Sequence, residues 1–234
     1  MKTTDTAPAS TPVHQLVSDY AHQRIGSWQR GYTTDQAKAV AARARLSREA
    51  GKSAAEVFDL WDLVDLDTLQ DPRRDGRPLS EQELERAEEA LLMTFTLWAL
   101  HQQSRSAGVH QLDKTGSPQG LGAAVRRLMP AGEIDDALRK RLVRAGKASD
   151  LATLAQRLRD IVLLLRREDV PLDYSLLAGQ LYQWQWPGGM DAVRTAWGRS
   201  FHAWREKDQK RAQGQAAAQQ EAQKQESDGQ TASP

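Results

Sequence analysis

Cysteine is absent from this chain of 234 residues, and its absence excludes several kinds of chemistry. Without thiols the protein has no disulfide bonds, no thiolate metal ligands and no cysteine nucleophile. Long apolar runs are also missing, since no stretch approaches the roughly 20 residues that cross a membrane. The first residues, MKTTDTAPASTP, lack the apolar segment of a secretory signal peptide. We therefore predict a cytoplasmic protein that does not associate with a membrane.

Catalytic signatures are missing as well. None of the five histidines belongs to a zinc-protease helix motif, and the chain has no G-x-S-x-G elbow, P-loop or dinucleotide-binding glycine motif. The acidic segment 56–90 lacks the spacing of a calcium loop. The glycines of GLGAAVRR (120–127) either bring backbone amides close to a phosphate or allow a tight start to a helix. We predict a protein that is not an enzyme and has no cofactor and no metal.

Strand signals are missing too, because the chain shows no sustained alternation of apolar and polar residues and no Asn-Gly turn. Helical periodicity predicts an all-α, two-lobed helical bundle of about eight to nine helices. The predicted helices cover residues 13–30, 34–50, 53–66, 80–104, 120–129, 133–145, 149–168, 173–185 and 189–206.

Composition divides the chain further. We predict a disordered N-terminus (1–11), an N-terminal lobe (12–105), a loop (106–119), a C-terminal lobe (120–206) and a disordered or frayed Gln/Ala-rich tail (207–234). Ser80 and Glu83 have the spacing of a capping box at the start of a long helix. The second half of that helix, ALLMTFTLWAL, is apolar on nearly all sides, which predicts a central buried helix.

Four of the seven tryptophans lie between residues 184 and 204, next to arginines. Such a pattern is typical either of base stacking in a nucleic-acid site or of a small helical core. Val193, Trp197, Phe201 and Trp204 recur on one helical face. Trp184 shares the apolar face of the preceding helix. We predict that Trp184, Trp197 and Trp204 are core or interface residues, and leave Trp186, before Pro187, open.

Charge is segregated along the chain although the net charge is only +1. Residues 56–90 hold twelve acids and four arginines, a balance of −8, whereas residues 123–168 hold eleven Lys/Arg and six acids, a balance of +5. This distribution favours one surface that meets a polyanion and another that avoids it or meets a basic partner. Ordinary solvated helix faces are the competing interpretation.

The basic residues concentrate on predicted helices. In the helix at 133–145, Ile134, Leu138 and Leu142 are expected to face inward. Basic residues are then left outside or nearby: Arg139, Lys140, Arg144 and Lys147, with Arg126 and Arg127 before them and Arg43, Arg45 and Arg48 in the first half. Arginine-rich faces on rigid helices, without a groove-reading motif, favour contacts with a nucleic-acid backbone over base readout.

Several motifs occur in the order and spacing of one known family. They are ALLMTFTLWALHQQ (90–103), GLGAAVRRL (120–128), QRLRDIVLLLRREDVPLDYSLLAGQLYQW (156–184) and VRTAWGRSF (193–201). The chain resembles CasB, the small subunit of the type I-E CRISPR surveillance complex called Cascade. The similarity covers about residues 80–205 and, more loosely, ARARLSR (42–48). Ser200 departs from the motif, where an acid is expected.

The resemblance implies an all-helical, non-catalytic subunit of a guide-RNA complex. Its implied partners are the guide RNA, the target and displaced DNA strands, the backbone and large subunits of Cascade, and a second copy of itself. Its implied function is to stabilise the R-loop in antiviral defence. By position, the implied nucleic-acid contacts are Arg45, Arg48, Arg86, Arg126, Arg127, Arg139, Lys140, Arg144, Lys147 and Arg159. The alternative is a helical protein–protein adaptor that does not contact nucleic acid.

Overall fold

The computed structural model describes residues 11–65, 67–70, 77–114 and 119–204. These ranges contain two short 3-10 helices, Ala54–Glu56 and Phe58–Leu63, and nine α-helices. The α-helices are α1 (Val13–Thr33), α2 (Ala37–Arg48), α3 (Asp67–Gln70), α4 (Glu81–Gln102), α5 (Leu121–Arg127), α6 (Asp136–Gly146), α7 (Leu151–Arg167), α8 (Tyr174–Trp184) and α9 (described over 189–204). An isolated β-bridge joins His110 and Leu172, and no strand is present within the described ranges. The predicted all-α class is confirmed.

Helix α4 is the centre of the fold, as its sequence predicts. The Ser80 hydroxyl accepts a hydrogen bond from the Glu83 N–H, and the Glu83 carboxylate accepts one from the Ser80 N–H, which completes the capping box. Every residue from 90 to 102 is buried. Helices α1, α2, α7 and α8 pack around α4, so its apolar second half has no face left for solvent.

One hydrophobic cluster includes side chains from both predicted lobes, because α1 from the first half packs along α8 from the second. The lobe boundaries stay a prediction. The predicted disordered N-terminus (except Thr11), the predicted tail and residues 115–118 of the predicted loop lie outside the described residues.

The segment predicted as one helix over 53–66 is two 3-10 helices instead. Val57, with φ near −120°, interrupts the helical backbone between them. Val57 and Leu60, three residues apart, are nevertheless both buried. A 3-10 helix places residues i and i+3 on the same side, so this spacing also suits the tighter helix.

Two predicted helix starts move because aspartates cap the helices. Helix α6 begins after Asp135, whose carboxylate accepts hydrogen bonds from the N–H groups of residues 137 and 138. Ile134, predicted to face inward, therefore precedes the helix and is 39% exposed. Helix α7, predicted to begin at residue 149, begins after Asp150, whose carboxylate accepts a hydrogen bond from the Thr153 N–H. Helix α7 has a continuous buried stripe formed by Leu154, Ala155, Leu158, Ile161, Val162 and Leu165, with half-buried Leu151 at its start.

Candidate nucleic-acid interface

Helix α6 separates an apolar face from a basic one. Leu142 and Ala145 are buried and Leu138 is half-buried, and this face packs against α5 and α7. Lys140, Arg144 and Lys147 are spaced i, i+4 and i+7, so they share the opposite face, and all three are exposed. None of them forms an ion pair with a residue that the structure describes. We call Lys140, Arg144 and Lys147 the α6 basic face.

Arg139 and Arg141 flank this face. The Arg139 guanidinium contacts Asp136, with Nη2 2.9 Å from Oδ1, and both side chains are largely exposed. An exposed pair of this kind contributes little to stability, so Arg139 can exchange its carboxylate partner for a phosphate at small cost. Arg141 is exposed as well. It was not among the predicted contacts, although it belongs to the same run of basic residues and could have been included on that ground.

The end of α6 is anchored to α9 by Arg194. Its Nε donates to the Gly146 carbonyl, its Nη1 lies 3.0 Å from an Asp191 carboxylate oxygen, and its guanidinium lies 5.7 Å from the Trp184 ring centroid. This arginine among the tryptophans is therefore structural. Because it holds α6 at its C-terminal end, the α6 basic face is presented on a fixed element.

The predicted contact Arg126 is wrong on exposure, because its side chain is 0% exposed. Its Nη1 donates to the carbonyl of Pro130 at 3.1 Å, and so helps to hold the turn that follows α5. A guanidinium inside the core has no surface to offer a phosphate. The sequence suggested otherwise because an arginine near a helix end is usually exposed.

Arg127 is half-buried and holds parts of the protein together. Its Nη2 donates to the Pro171 carbonyl at 2.7 Å, and its Nη1 contacts the Gln119 side chain. Burial lowers the pKa of Arg127 to about 10, so the group is still charged near neutral pH. Its guanidinium lies 5.4 Å from the ring of half-buried Trp204. Most of its hydrogen-bonding capacity is therefore directed into the fold.

The two predicted contacts on α2 differ from each other. Arg45 makes a two-pronged contact with Asp62 at 2.8 and 2.9 Å, and this hydrogen bonding lowers the pKa of the Asp62 carboxyl. Arg48 is exposed. On α7, half-buried Arg159 packs against Gly51, whose carbonyl also accepts a hydrogen bond from Gln156. Arg48 and Arg159 thus lie at the same junction between α7 and the end of α2.

Arg86 on α4 stacks on Trp186, with its guanidinium carbon 3.8 Å from the ring centroid. Both side chains are half-buried. Trp186, left open by the sequence, therefore packs against an arginine of its own chain. Trp184 and Trp197 are 4% and 2% exposed, which confirms that they are core residues.

The glycines of GLGAAVRR serve helix packing. A Cβ on Gly122 would lie 1.9 Å from the Trp197 carbonyl oxygen, so only glycine lets α5 approach α9 this closely. The Ser200 hydroxyl accepts a hydrogen bond from the Ala123 N–H at 3.2 Å. The residue that departs from the family motif thus helps join these two helices.

Acidic residues fill the first half of α4. Burial and the neighbouring carboxylates of Glu89 and Glu85 raise the pKa of Glu88, and burial raises that of Glu89. No group of three or more His, Cys, Asp or Glu in the described ranges could hold a metal ion. Among the same residues no helix is long and apolar enough to cross a membrane.

Comparison with known proteins identifies the family and supports the fold. The family described as CRISPR-associated protein Cse2 matches residues 42–202. The crystal structure of CasB from Thermobifida fusca is 47% identical, covers 83% of this chain and 99% of its own, and has a TM-score of 0.70. A chain of a CRISPR RNA-guided surveillance complex is 20% identical, covers 85% and 99%, and has a TM-score of 0.59, which shows the shared fold alone. No curated protein sequence matches.

The fold and the surface define a class: an all-α protein with a basic helix face anchored to an aromatic core. Within that class, the family match over residues 42–202 is decisive. The chain belongs to the Cse2 family of CRISPR-associated proteins, as its resemblance to CasB predicted.

Proposed function

We propose that this protein is a non-catalytic small subunit of a type I-E CRISPR RNA-guided surveillance complex, and that it stabilises the R-loop through its basic surfaces. Membership of the Cse2 family and similarity to the Thermobifida fusca CasB structure support the complex. The α6 basic face carries the nucleic-acid contact, because it offers three exposed cations on one side of an anchored helix to the phosphates of a strand.

Each surface contributes according to its exposure. The α6 basic face, Arg139 and Arg48 contact phosphates directly, whereas Arg45, Arg86, Arg127 and Arg159 contribute positive potential and support the surface from half-buried positions. The strands contacted are the guide RNA and the target and displaced DNA. Base pairing supplies sequence specificity in such systems, so backbone contacts suffice for this function. The backbone and large subunits and a second copy of the chain complete the proposed assembly.

Replacing Lys140, Arg144 and Lys147 together by glutamine tests this proposal. Each phosphate contact with a single strand contributes about 0.7 to the slope of log affinity against log salt concentration. Losing three such contacts should therefore flatten the slope by about 2. We expect weaker binding of every single-stranded sequence alike, measured by fluorescence anisotropy from about 0.05 to 0.3 M salt.

The matched control replaces the exposed cations Lys38, Arg157 and Arg199 by glutamine. It removes the same charge from α2, α7 and α9, and should change the slope much less. If both triple variants bind like the wild-type chain, the α6 basic face does not contact nucleic acid and the adaptor alternative replaces our proposal. Loss of affinity for some sequences only would indicate base readout.

A further inference from the structure

A groove lies between α1 and the segment 109–114. It encloses about 490 Å³, within the roughly 300–1,000 Å³ typical of small-ligand sites. Its wall is fixed: the Gln29 side chain accepts a hydrogen bond from the His110 N–H at 2.8 Å and donates one to the His110 carbonyl at 3.2 Å. The groove is therefore held open by the fold.

The charge of this groove is positive. Arg30 and Lys114 line it and are exposed, and no described lining residue is a carboxylate. Neither cation forms an ion pair with a residue that the structure describes. A Cβ on Gly26 would lie 3.3 Å from Arg30 Nη1, so the guanidinium lies along the groove wall. The groove is suited to an anion.

A third donor follows from the hydrogen bonds of a histidine pair. The Tyr174 N–H donates to His110 Nδ1 at 3.2 Å, so the hydrogen of neutral His110 is on Nε2. That Nε2–H donates to His22 Nδ1 at 3.0 Å. The hydrogen of neutral His22 is consequently on its own Nε2, and His22 is an exposed lining residue. His22 can thus offer an N–H to a ligand in the groove.

We propose that this groove binds one nucleotide of a single strand, with its phosphate held by Arg30, Lys114 and His22. Leu112, 40% exposed beside Lys114, offers an apolar surface to the sugar or base. An apolar side chain next to three side chains that can donate hydrogen bonds to a phosphate fits a nucleotide better than an acidic peptide. The carboxylates of such a peptide would need no apolar contact. The inference rests on the proposed function, since it adds a second strand-binding site to the α6 basic face.

The test compares two double variants, Arg30→Gln with Lys114→Gln, and Lys38→Gln with Arg199→Gln as a control of equal charge. The probe is a fluorescein-labelled oligo-dT of about 20 nucleotides, long enough to span a typical single-strand site. We expect the groove variant to bind roughly tenfold more weakly, because it loses two solvent-exposed charge contacts with phosphate, each of which is individually weak. Its salt slope should flatten by about 1.4. The control should remain close to wild type.

A variant that fills the groove tests the contribution of its shape separately from that of its charge. Gly26→Leu keeps both cations and meets only the flexible end of Arg30 at its Cβ. We expect it to keep the helical circular dichroism and melting temperature of the wild type, but to weaken oligo-dT binding. Wild-type binding by Gly26→Leu, or equal binding by the two double variants, would overturn the groove site. Labelled poly-glutamate that binds as tightly as oligo-dT, and loses affinity in the same variants, would overturn the nucleotide assignment.

Failure of the groove and failure of the proposed function give different results. If the groove fails alone, substitution of the α6 basic face still weakens binding while the groove variants do not. If the proposed function fails, wild-type chain and assembled complex show no salt-sensitive binding of oligo-dT in any comparison, and both proposals are wrong.

Discussion

At the scale of single residues, the surroundings of a guanidinium decide what an arginine does in this chain. Arg126 is enclosed by the core and donates to main-chain carbonyls, whereas Arg86 stacks on Trp186. Arg144 extends into solvent. All three are arginines on helices, so residue type alone does not separate buried structural cations from exposed ones. Removing Arg126 leaves its carbonyl acceptors without this donor, whereas removing Arg144 changes the surface potential.

His101 is a residue whose burial predicts a measurable pH effect. It is 1% exposed, and its Nδ1 lies 2.8 Å from the Tyr174 hydroxyl. Burial, with the nearby cations Arg105 and Arg166, lowers its pKa to about 3. Burial and the neighbouring His22 also lower the pKa of His110, against the opposing effect of Asp173.

We expect the free energy of unfolding to fall as pH decreases from about 6.5 towards 3. In this window the unfolded chain binds a proton at residue 101 and the folded chain does not, so acid favours unfolding by up to about 1.4 kcal/mol per pH unit. His101→Gln should make this dependence clearly weaker, leaving the part due to His110, as measured by urea unfolding at several pH values. His202→Gln, at an exposed position on α9, is the control. Parallel curves for wild type and His101→Gln would contradict the prediction.

At the scale of elements, the tryptophans join the last two helices. The rings of Trp184 on α8 and Trp197 on α9 stack with centroids 5.7 Å apart and planes 24° apart. The Trp197 Nε1–H donates to Gln180 Oε1 at 2.7 Å, which satisfies a buried amide. Gly122 of α5 also packs directly against the backbone of α9 at Trp197. Trp197 therefore lies where α5, α8 and α9 pack together.

Trp197→Ala should destabilise the protein by about 3–5 kcal/mol, the cost typical of removing a buried aromatic side chain. Urea unfolding measures the change, and Trp197→Phe should cost less because it keeps a ring while losing the hydrogen bond to Gln180. Below its melting temperature the alanine variant should still bind single strands. Unchanged unfolding together with lost binding would instead assign Trp197 to base stacking.

At the scale of the whole molecule, a single hydrophobic core carries separate charged surfaces. The acidic residues of α4 and the basic residues of α6 belong to helices that both pack against α7. One hydrophobic core thus carries helices of both signs of charge. Segregation of this kind suits a subunit that contacts a polyanion on one side and protein elsewhere.

Removing this subunit from its complex should shorten the lifetime of R-loops while leaving guide RNA and target search largely intact. Duplex lost and heteroduplex gained nearly balance in R-loop formation, so a few backbone contacts decide whether the open state persists. Single-molecule lifetimes at about 0.15 M salt, near physiological ionic strength, measure the effect. The variant of the α6 basic face should reproduce the defect while staying in the complex. Equal lifetimes with and without the subunit would contradict this.

Local rules in the sequence were enough for the helices and most of the core. The capping box at Ser80, the apolar run of α4 and the stripe of α7 each act within a few residues, so the pattern predicts them directly. The family could also be identified from the sequence, because its motifs are contiguous stretches. The basic face of α6 followed from helical spacing alone, and Lys140, Arg144 and Lys147 are exposed as that spacing requires.

Only the tertiary structure decided which cations are at the surface and which sites form between distant segments. Arg126 is buried because α5 is enclosed by its neighbours, and nothing in residues 120–130 reveals that enclosure. The groove between α1 and residues 109–114 exists because Gln29 and His22 meet His110 more than 80 positions later in the chain. The physical reason is range: hydrogen-bonded turns and helix faces depend on neighbours in sequence, whereas burial depends on which faces meet in space.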